Sequence, residues 1–183
     1  MKYFDVIKTE NIKKTLVEGA EPYLMAASLN AEGEDYYDFQ KTLSAKFTCV
    51  IDAETNILRY FNEDASTIAP GIGERVFGID DITPDGVTFD GTWKFDERTN
   101  AFYQDEALAT ACMVSLNTSQ RNVLLQNAFR DISIIQNSAL LQNARVSDAA
   151  DLVALQQYVD ALRDVDLTAP AWPEMPTCGN VSS

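Results

Sequence analysis

Lys46-Phe-Thr-Cys-Val-Ile51, Asp52-Ala-Glu-Thr55 and Asn56-Ile-Leu-Arg-Tyr-Phe61 succeed one another without a gap. The outer runs are rich in β-branched and aromatic residues, and the four residues between them are polar, so the stretch reads as an antiparallel hairpin. Working outward, Lys2 to Ile7, Arg75 to Ile79 and Thr92 to Phe95 are further strand candidates, and Asp96-Glu-Arg-Thr-Asn100 turns the last of these toward Ala101-Phe-Tyr103. The connections are too short for repeated crossover helices, which makes the expected sheet antiparallel.

Punctuation by glycine and proline then divides the chain. Gly19, Pro22, Gly33, Pro70, Gly71, Gly73, Gly78, Pro84, Gly86 and Gly91 all precede Thr92, and neither residue type returns until Pro170. The first half is turn-rich and the second permits helix. From Gln104, Leu108, Ala111, Cys112 and Ser115 share one helical face, and Asn117-Thr-Ser119 reads as a break with a new cap. Leu125, Ala128, Ile132, Ile135 and Ala139 then recur in steps of three and four, the spacing of a helical seam, with polar residues opposite. Ser147 is placed to cap a third helix whose apolar face is Leu152, Leu155, Tyr158, Val159, Leu162 and Val165, until Pro170 forbids continuation. The fold class is therefore α+β: a β-rich domain over residues 1–103, a helical region over 104–168 and an extended tail over 169–183.

Composition excludes several functions. Apolar residues are 46% and charged residues 23% of the 183, close to ordinary globular usage, so the chain is expected to fold. Twenty-eight acidic against fourteen basic side chains give a formal charge of −14, which repels nucleic acid and anionic lipid. No segment reaches the roughly 18 apolar residues a membrane span needs. Cys49, Cys112 and Cys178 are odd in number and widely spaced, which argues against a disulfide framework or a zinc site and for free thiols in a reducing cytoplasm. The N-terminal Met1-Lys-Tyr-Phe-Asp5 lacks the apolar core of a secretory signal, so cytoplasmic residence is expected.

Catalytic chemistry is equally constrained. The absence of histidine removes the commonest general base and metal ligand. Asp80-Asp81 and Glu63-Asp64 lie in polar turns and read as solvated surface. Pro70-Gly-Ile-Gly73 lacks the lysine and third glycine of a phosphate loop, and Ser119 and Cys112 have no basic neighbour to activate them. No catalytic residue, cofactor or metal is expected.

The third helix and the tail beyond it carry a resemblance. Leu152, Leu155, Tyr158, Leu162, Val165-Asp166, Pro170, Trp172-Pro173 and Pro176 are similar to the C-terminal signature of the caudoviral tail fibre assembly protein family. Asp35-Tyr-Tyr-Asp-Phe-Gln-Lys41 resembles that family's aromatic pair followed by Gln-Lys, and Asp90-Gly-Thr-Trp-Lys-Phe-Asp96 its Gly-x-Trp-x-Phe-Asp hairpin. The three blocks occur in family order from about residue 35. Departures are Leu155, where the family commonly has Trp, and Val159 and Asp164, where it has basic residues. The resemblance implies a non-enzymatic chaperone that associates with the C-terminal region of a tail fibre protein in the host bacterial cytoplasm and assists its trimerisation.

Candidate partner-binding or self-association residues are Leu125, Ile132, Ile135, Tyr158, Leu162, Trp172 and Met175. The 125–139 stripe either packs on its own domain or forms a homodimer seam, and its narrow width with polar flanks favours the seam. Trp172, between Pro170 and Pro173, either folds back as a clasp or engages another chain, and Trp93 reads as core. A second function class stays open: an adhesin subunit retained on the virion's fibre tip, with Tyr36, Tyr37, Tyr60 and Tyr103 stacking on a host surface glycan. A small glycosidase is a third, and needs two carboxylates facing across a cleft.

Overall fold

The computed structural model describes residues 1–15, 18 and 21–178. Gly19, one of the punctuating residues, and residues 179–183 of the expected extended tail lie outside the described residues. The elements in order are β1 (Tyr3–Asp5), β2 (Lys8–Lys14), β3 (Tyr23–Leu29), α1 (Tyr36–Gln40), β4 (Phe47–Asp52), β5 (Leu58–Asn62), β6 (Glu74–Ile79), β7 (Trp93–Asp96), β8 (Ala101–Gln104), α2 (Glu106–Leu140) and α3 (Asp148–Arg163). Antiparallel sheets in the N-terminal half are followed by helices, so the fold is α+β. Two compact units comprise Met1–Ala109 and Thr110–Ser183.

In the first unit a four-stranded sheet has the order β1-β6-β4-β5, and every pairing in it is antiparallel. Cys49, Val50 and Ile51 of β4 are completely buried. Successive strand residues point to opposite faces, so this sheet must be covered on both. On one face Val50, Val76 and Phe4 pack against Tyr36 and Phe39 of α1. On the other, Cys49, Ile51 and Phe77 meet Phe95 and Phe102 of the β7–β8 hairpin, with Trp93 partly buried beside them. Phe77 and Phe95 rings lie 4.4 Å apart. Arg75 of β6 ties this arrangement together: it pairs with Asp5 of β1, donates to Glu97 beyond β7 at 2.6 Å, and lies 5.3 Å from the centre of the Tyr3 ring.

The two hairpins turn by the same chemistry. Asp52-Ala-Glu-Thr-Asn56 and Asp96-Glu-Arg-Thr-Asn100 each begin with an aspartate and end with an asparagine at positive φ, 59° and 52° respectively. Asparagine is among the few residues that adopt this backbone without heavy strain. The Asp52 carboxylate accepts the backbone N–H of Glu54 (3.2 Å) and of Thr55 (2.8 Å) and the Thr55 hydroxyl (2.8 Å), while Arg59 donates to its other oxygen at 2.8 Å. Asp96 accepts the Arg98 N–H at 2.9 Å in the same way. The β2–β3 hairpin has no sequence signal: β2 is largely exposed and polar, without alternation of apolar and polar residues.

The second half departs from its sequence reading in two places. Helix α2 runs through Asn117-Thr-Ser119 without a break. The Thr118 and Ser119 hydroxyls donate to the carbonyls of Val114 (2.7 Å) and Ser115 (3.1 Å), one turn back, so these side chains bond within the helix instead of capping a new one. The α2 N-terminus is capped by Asp105, which accepts the N–H groups of Ala107 and Leu108 at 3.1 Å each. Ser147 makes no side-chain cap to α3. Asp148 does the anchoring instead, accepting the Arg145 N–H at 2.8 Å and its Nε at 2.9 Å.

Two measurements probe these features of the fold. Gly78 of β6 sits where an added Cβ would meet the Ala45 Cβ at 2.8 Å, so Gly78→Val is expected to lower unfolding stability by about 1–3 kcal/mol in a urea titration. The N–H of Thr55, then its hydroxyl, hold the Asp52 carboxyl down at about 2. A carboxyl depressed in the folded state contributes stability that is full above its ordinary value of about 4 and is lost as pH falls through the folded value. Asp52→Asn is therefore expected to be less stable than the parent at neutral pH, with the gap closing between about pH 4 and pH 2.

Candidate functional site

A sheet grows at its edges, and β5 is an edge of the four-stranded sheet. Its partner β4 occupies one side. On the other, strand pairing among the described residues is confined to a single bridge between Ile57 and Lys94, just before the strand begins. Beyond that bridge, Phe61, Asn62 and Glu63 line a groove of about 500 Å³, completed by Phe47, Val87, Thr88 and Phe89. Three phenyl rings form a row along it: Phe47 and Phe61 stand edge to face at 5.8 Å, and Phe61 and Phe89 at 4.9 Å. Phe89 is 54% exposed, which is unusual for a phenylalanine with ring neighbours. Unpaired strand backbone beside an aromatic groove is the geometry that accepts an extended peptide.

Phe89 lies in Pro84-Asp-Gly-Val-Thr-Phe-Asp-Gly91, a turn-rich segment in which a large apolar residue has no periodic reason to be. That mismatch is the one signal by which sequence reasoning, which missed Phe89, could have found it. A second cavity of about 510 Å³ is lined by Lys14, Met25, Tyr37, Gln40, Lys41 and Asp64 to Ser66. Its cations are already satisfied: Lys14 pairs with Asp35 and Asp38, and Lys41 with Asp38 at 2.7 Å. Of the tyrosines considered for glycan stacking, Tyr36 is enclosed and donates its hydroxyl to the Ala65 carbonyl at 3.2 Å. Tyr60 packs against the core, whereas Tyr37 and Tyr103 are exposed.

Two of the carboxylates considered for chemistry have structural occupations. Asp64 accepts the Ser66 N–H at 2.9 Å and its hydroxyl at 2.7 Å, and Asp80 accepts the Lys46 N–H at 3.2 Å. Among the described residues no three His, Cys, Asp or Glu side chains converge as a metal ion requires. Burial pushes the Cys49 thiol up to about 12, which leaves it a poor nucleophile at neutral pH.

In the second unit the structure brings most of the candidate binding residues into one cluster. Ala128, Tyr158, Val159 and Leu162 are buried together, with Leu124, Leu125, Ile132 and Trp172 packed around them. The stripe on α2 thus finds its apolar partners on α3 and in the tail of the same chain. Trp172 folds back onto this cluster, and Asn117 steadies the approach to it by donating to the Leu167 carbonyl at 2.8 Å. Ile135 is 1% exposed. Ala139, the last member of the stripe, is exposed, and Met175 is 43% exposed. Leu155 and Val159, two of the departures from the resembled C-terminal signature, are both core here.

This placement sets a contrast that circular dichroism melting can read. Ile135→Asp puts an unpaired carboxylate into a dry interior and is expected to abolish the cooperative melt of the helical unit, because such a charge costs several kcal/mol. Ala139→Asp, on an exposed position of the same stripe, is expected to shift stability by no more than about 0.5 kcal/mol.

Comparison with known proteins agrees with the three sequence blocks. Residues 37–177 match the model of a family described as Caudovirales tail fibre assembly protein, lambda gpK. No relative among curated proteins matched the chain. The family match takes in β4, β5, the aromatic groove and the whole helical cluster. The chain belongs to the Caudovirales tail fibre assembly protein family.

Proposed function

We propose that this protein is a non-catalytic chaperone that binds the C-terminal region of a phage tail fibre protein and holds it until the fibre trimer forms. The carrying observation is the open β5 edge beside the Phe47, Phe61 and Phe89 row. Intertwined β-rich fibre chains depend on contacts between distant residues, fold slowly and leave strand edges unpaired while they do so. A strand of the fibre chain pairs with β5 and sets an apolar side chain into the groove. Backbone hydrogen bonds supply affinity with little demand on sequence, and the phenyl row supplies choice of side chain.

Transfer of the fibre strand to its final partners then releases or retains the chaperone without chemistry. The work takes place in the host cytoplasm, an assignment supported by three free cysteines, Cys49, Cys112 and Cys178. No described helix is long and apolar enough to cross a membrane.

Co-expression with a cognate fibre gene tests the proposal, with soluble trimeric fibre as the readout. The parent chain is expected to raise the yield, and Phe89→Glu to lower it by about tenfold, the effect of losing roughly 1.4 kcal/mol of binding. Because Phe89 is already 54% exposed, the variant's own melt is expected to stay unchanged. Equal fibre yield with and without the chaperone, or an unimpaired Phe89→Glu, would contradict the proposal.

A further inference from the structure

The groove beside β5 is charged as well as aromatic. Glu63 is the ionised group in its lining, and its side chain is 67% exposed. Further carboxylates adjoin the lining: Asp64 follows Glu63, Asp90 follows Phe89, and Asp80 accepts the backbone N–H of Lys46, the residue before Phe47, at 3.2 Å. The stretch 76–93, which carries the Phe89 wall, contains four aspartates and no lysine or arginine.

These anions are treated differently from others in the same unit. Asp5, Asp52 and Glu97 each pair with an arginine, whereas among the described residues Asp64, Asp80 and Asp90 form no ion pair. Asp90 accepts the Thr92 N–H at 2.9 Å, the Thr92 hydroxyl at 2.6 Å and the Thr88 hydroxyl at 2.9 Å. Neutral donors fix this carboxylate beside Phe89 without cancelling its charge.

Lys46 shows what such a site accepts. Its ammonium lies over the Phe47 ring, 4.7 Å from the centre, and 3.8 Å from a Glu63 carboxylate oxygen. Ring quadrupole and carboxylate attract the cation together. That lysine occupies one end of the phenyl row. At the other end Phe89 is 54% exposed, and among the described residues no cation lies over its ring.

We propose that the strand received at β5 is a basic one, with a lysine or arginine two residues from its apolar anchor and seated on the Phe89 ring in the field of Glu63 and Asp90. Residues two apart point to the same face of a strand, so anchor and cation enter the groove side together. The proposal rests on the reading of β5 as the edge that receives the fibre, and adds the charge of the partner. Backbone bonds at a sheet edge are indifferent to side chains, whereas complementary charge speeds encounter and rejects acidic strands.

Fluorescence anisotropy on the full chain tests it with three labelled peptides: Thr-Val-Thr-Lys-Thr-Val-Thr and its versions with glutamine or glutamate in place of the lysine. At about 50 mM salt the lysine peptide is expected to bind about tenfold tighter than the glutamate peptide, with the glutamine peptide between them, and the differences are expected to shrink at about 500 mM. Phe89→Ala is expected to remove most of the lysine preference, and Glu63→Lys to reverse it, both at side chains already exposed. Equal binding of the three peptides, all weakened by Phe89→Ala, would overturn the basic preference and leave docking at β5 standing. A lysine preference that survives both variants would overturn it as well, because the peptide then follows the general acidity of the surface. Binding of none of the three would overturn it together with strand docking at β5.

Discussion

Strand β4 is packed on all four sides, and the rest of the first unit depends on that. Its neighbours β5 and β6 take its backbone hydrogen bonds, and Cys49, Val50 and Ile51 are entirely removed from water. At roughly 25 cal/mol per Å² of apolar surface, three such residues in succession are tolerated only if both faces of the sheet are roofed. Helix α1 covers one face, and the β7–β8 hairpin covers the other. The roof on the second face explains why the Gly-x-Trp-x-Phe-Asp block stands where it does. Phe95 supplies the ring against Phe77, and Asp96 starts the turn that returns Phe102 to the same cluster. With both faces committed to stability, the sheet's rims are left for another molecule, and the β5 rim is the one beside the phenyl row.

Much of this was legible in the residues. Both Asp-to-Asn turns, the strands they join and the change from turn-rich to helix-permissive sequence near residue 104 could be read directly, because aspartate, threonine and asparagine act locally on their own backbone. Asn117-Thr-Ser119 misled for a related reason. The same hydroxyls that cap a helix also bond to carbonyls one turn back, and tertiary packing on both sides of the segment decides between them. The β2–β3 hairpin was invisible because β2 stands largely in solvent, where no buried face imposes alternation, and because β3, Tyr-Leu-Met-Ala-Ala-Ser-Leu, is apolar on both sides although only Ala27 and Leu29 are fully buried among its described side chains.

The candidate sites divide along the same line. Spacing revealed that Leu125, Ala128, Ile132 and Ile135 form one face of α2, but spacing cannot say whose surface meets that face. Tyr158, Leu162 and Trp172 of the same chain meet it. Likewise the groove at β5 draws Phe47, Phe61 and Phe89 from three separate segments, and only the folded chain brings their rings together.

The central claim is that the fibre chain docks on the β5 edge. Amide hydrogen exchange on the co-purified complex, read against the chaperone alone, addresses it residue by residue. New protection is expected at Arg59 to Asn62 and at Val87 to Phe89 when the fibre is bound. Exchange left unchanged over those two segments, with protection appearing only on the helices, would contradict it.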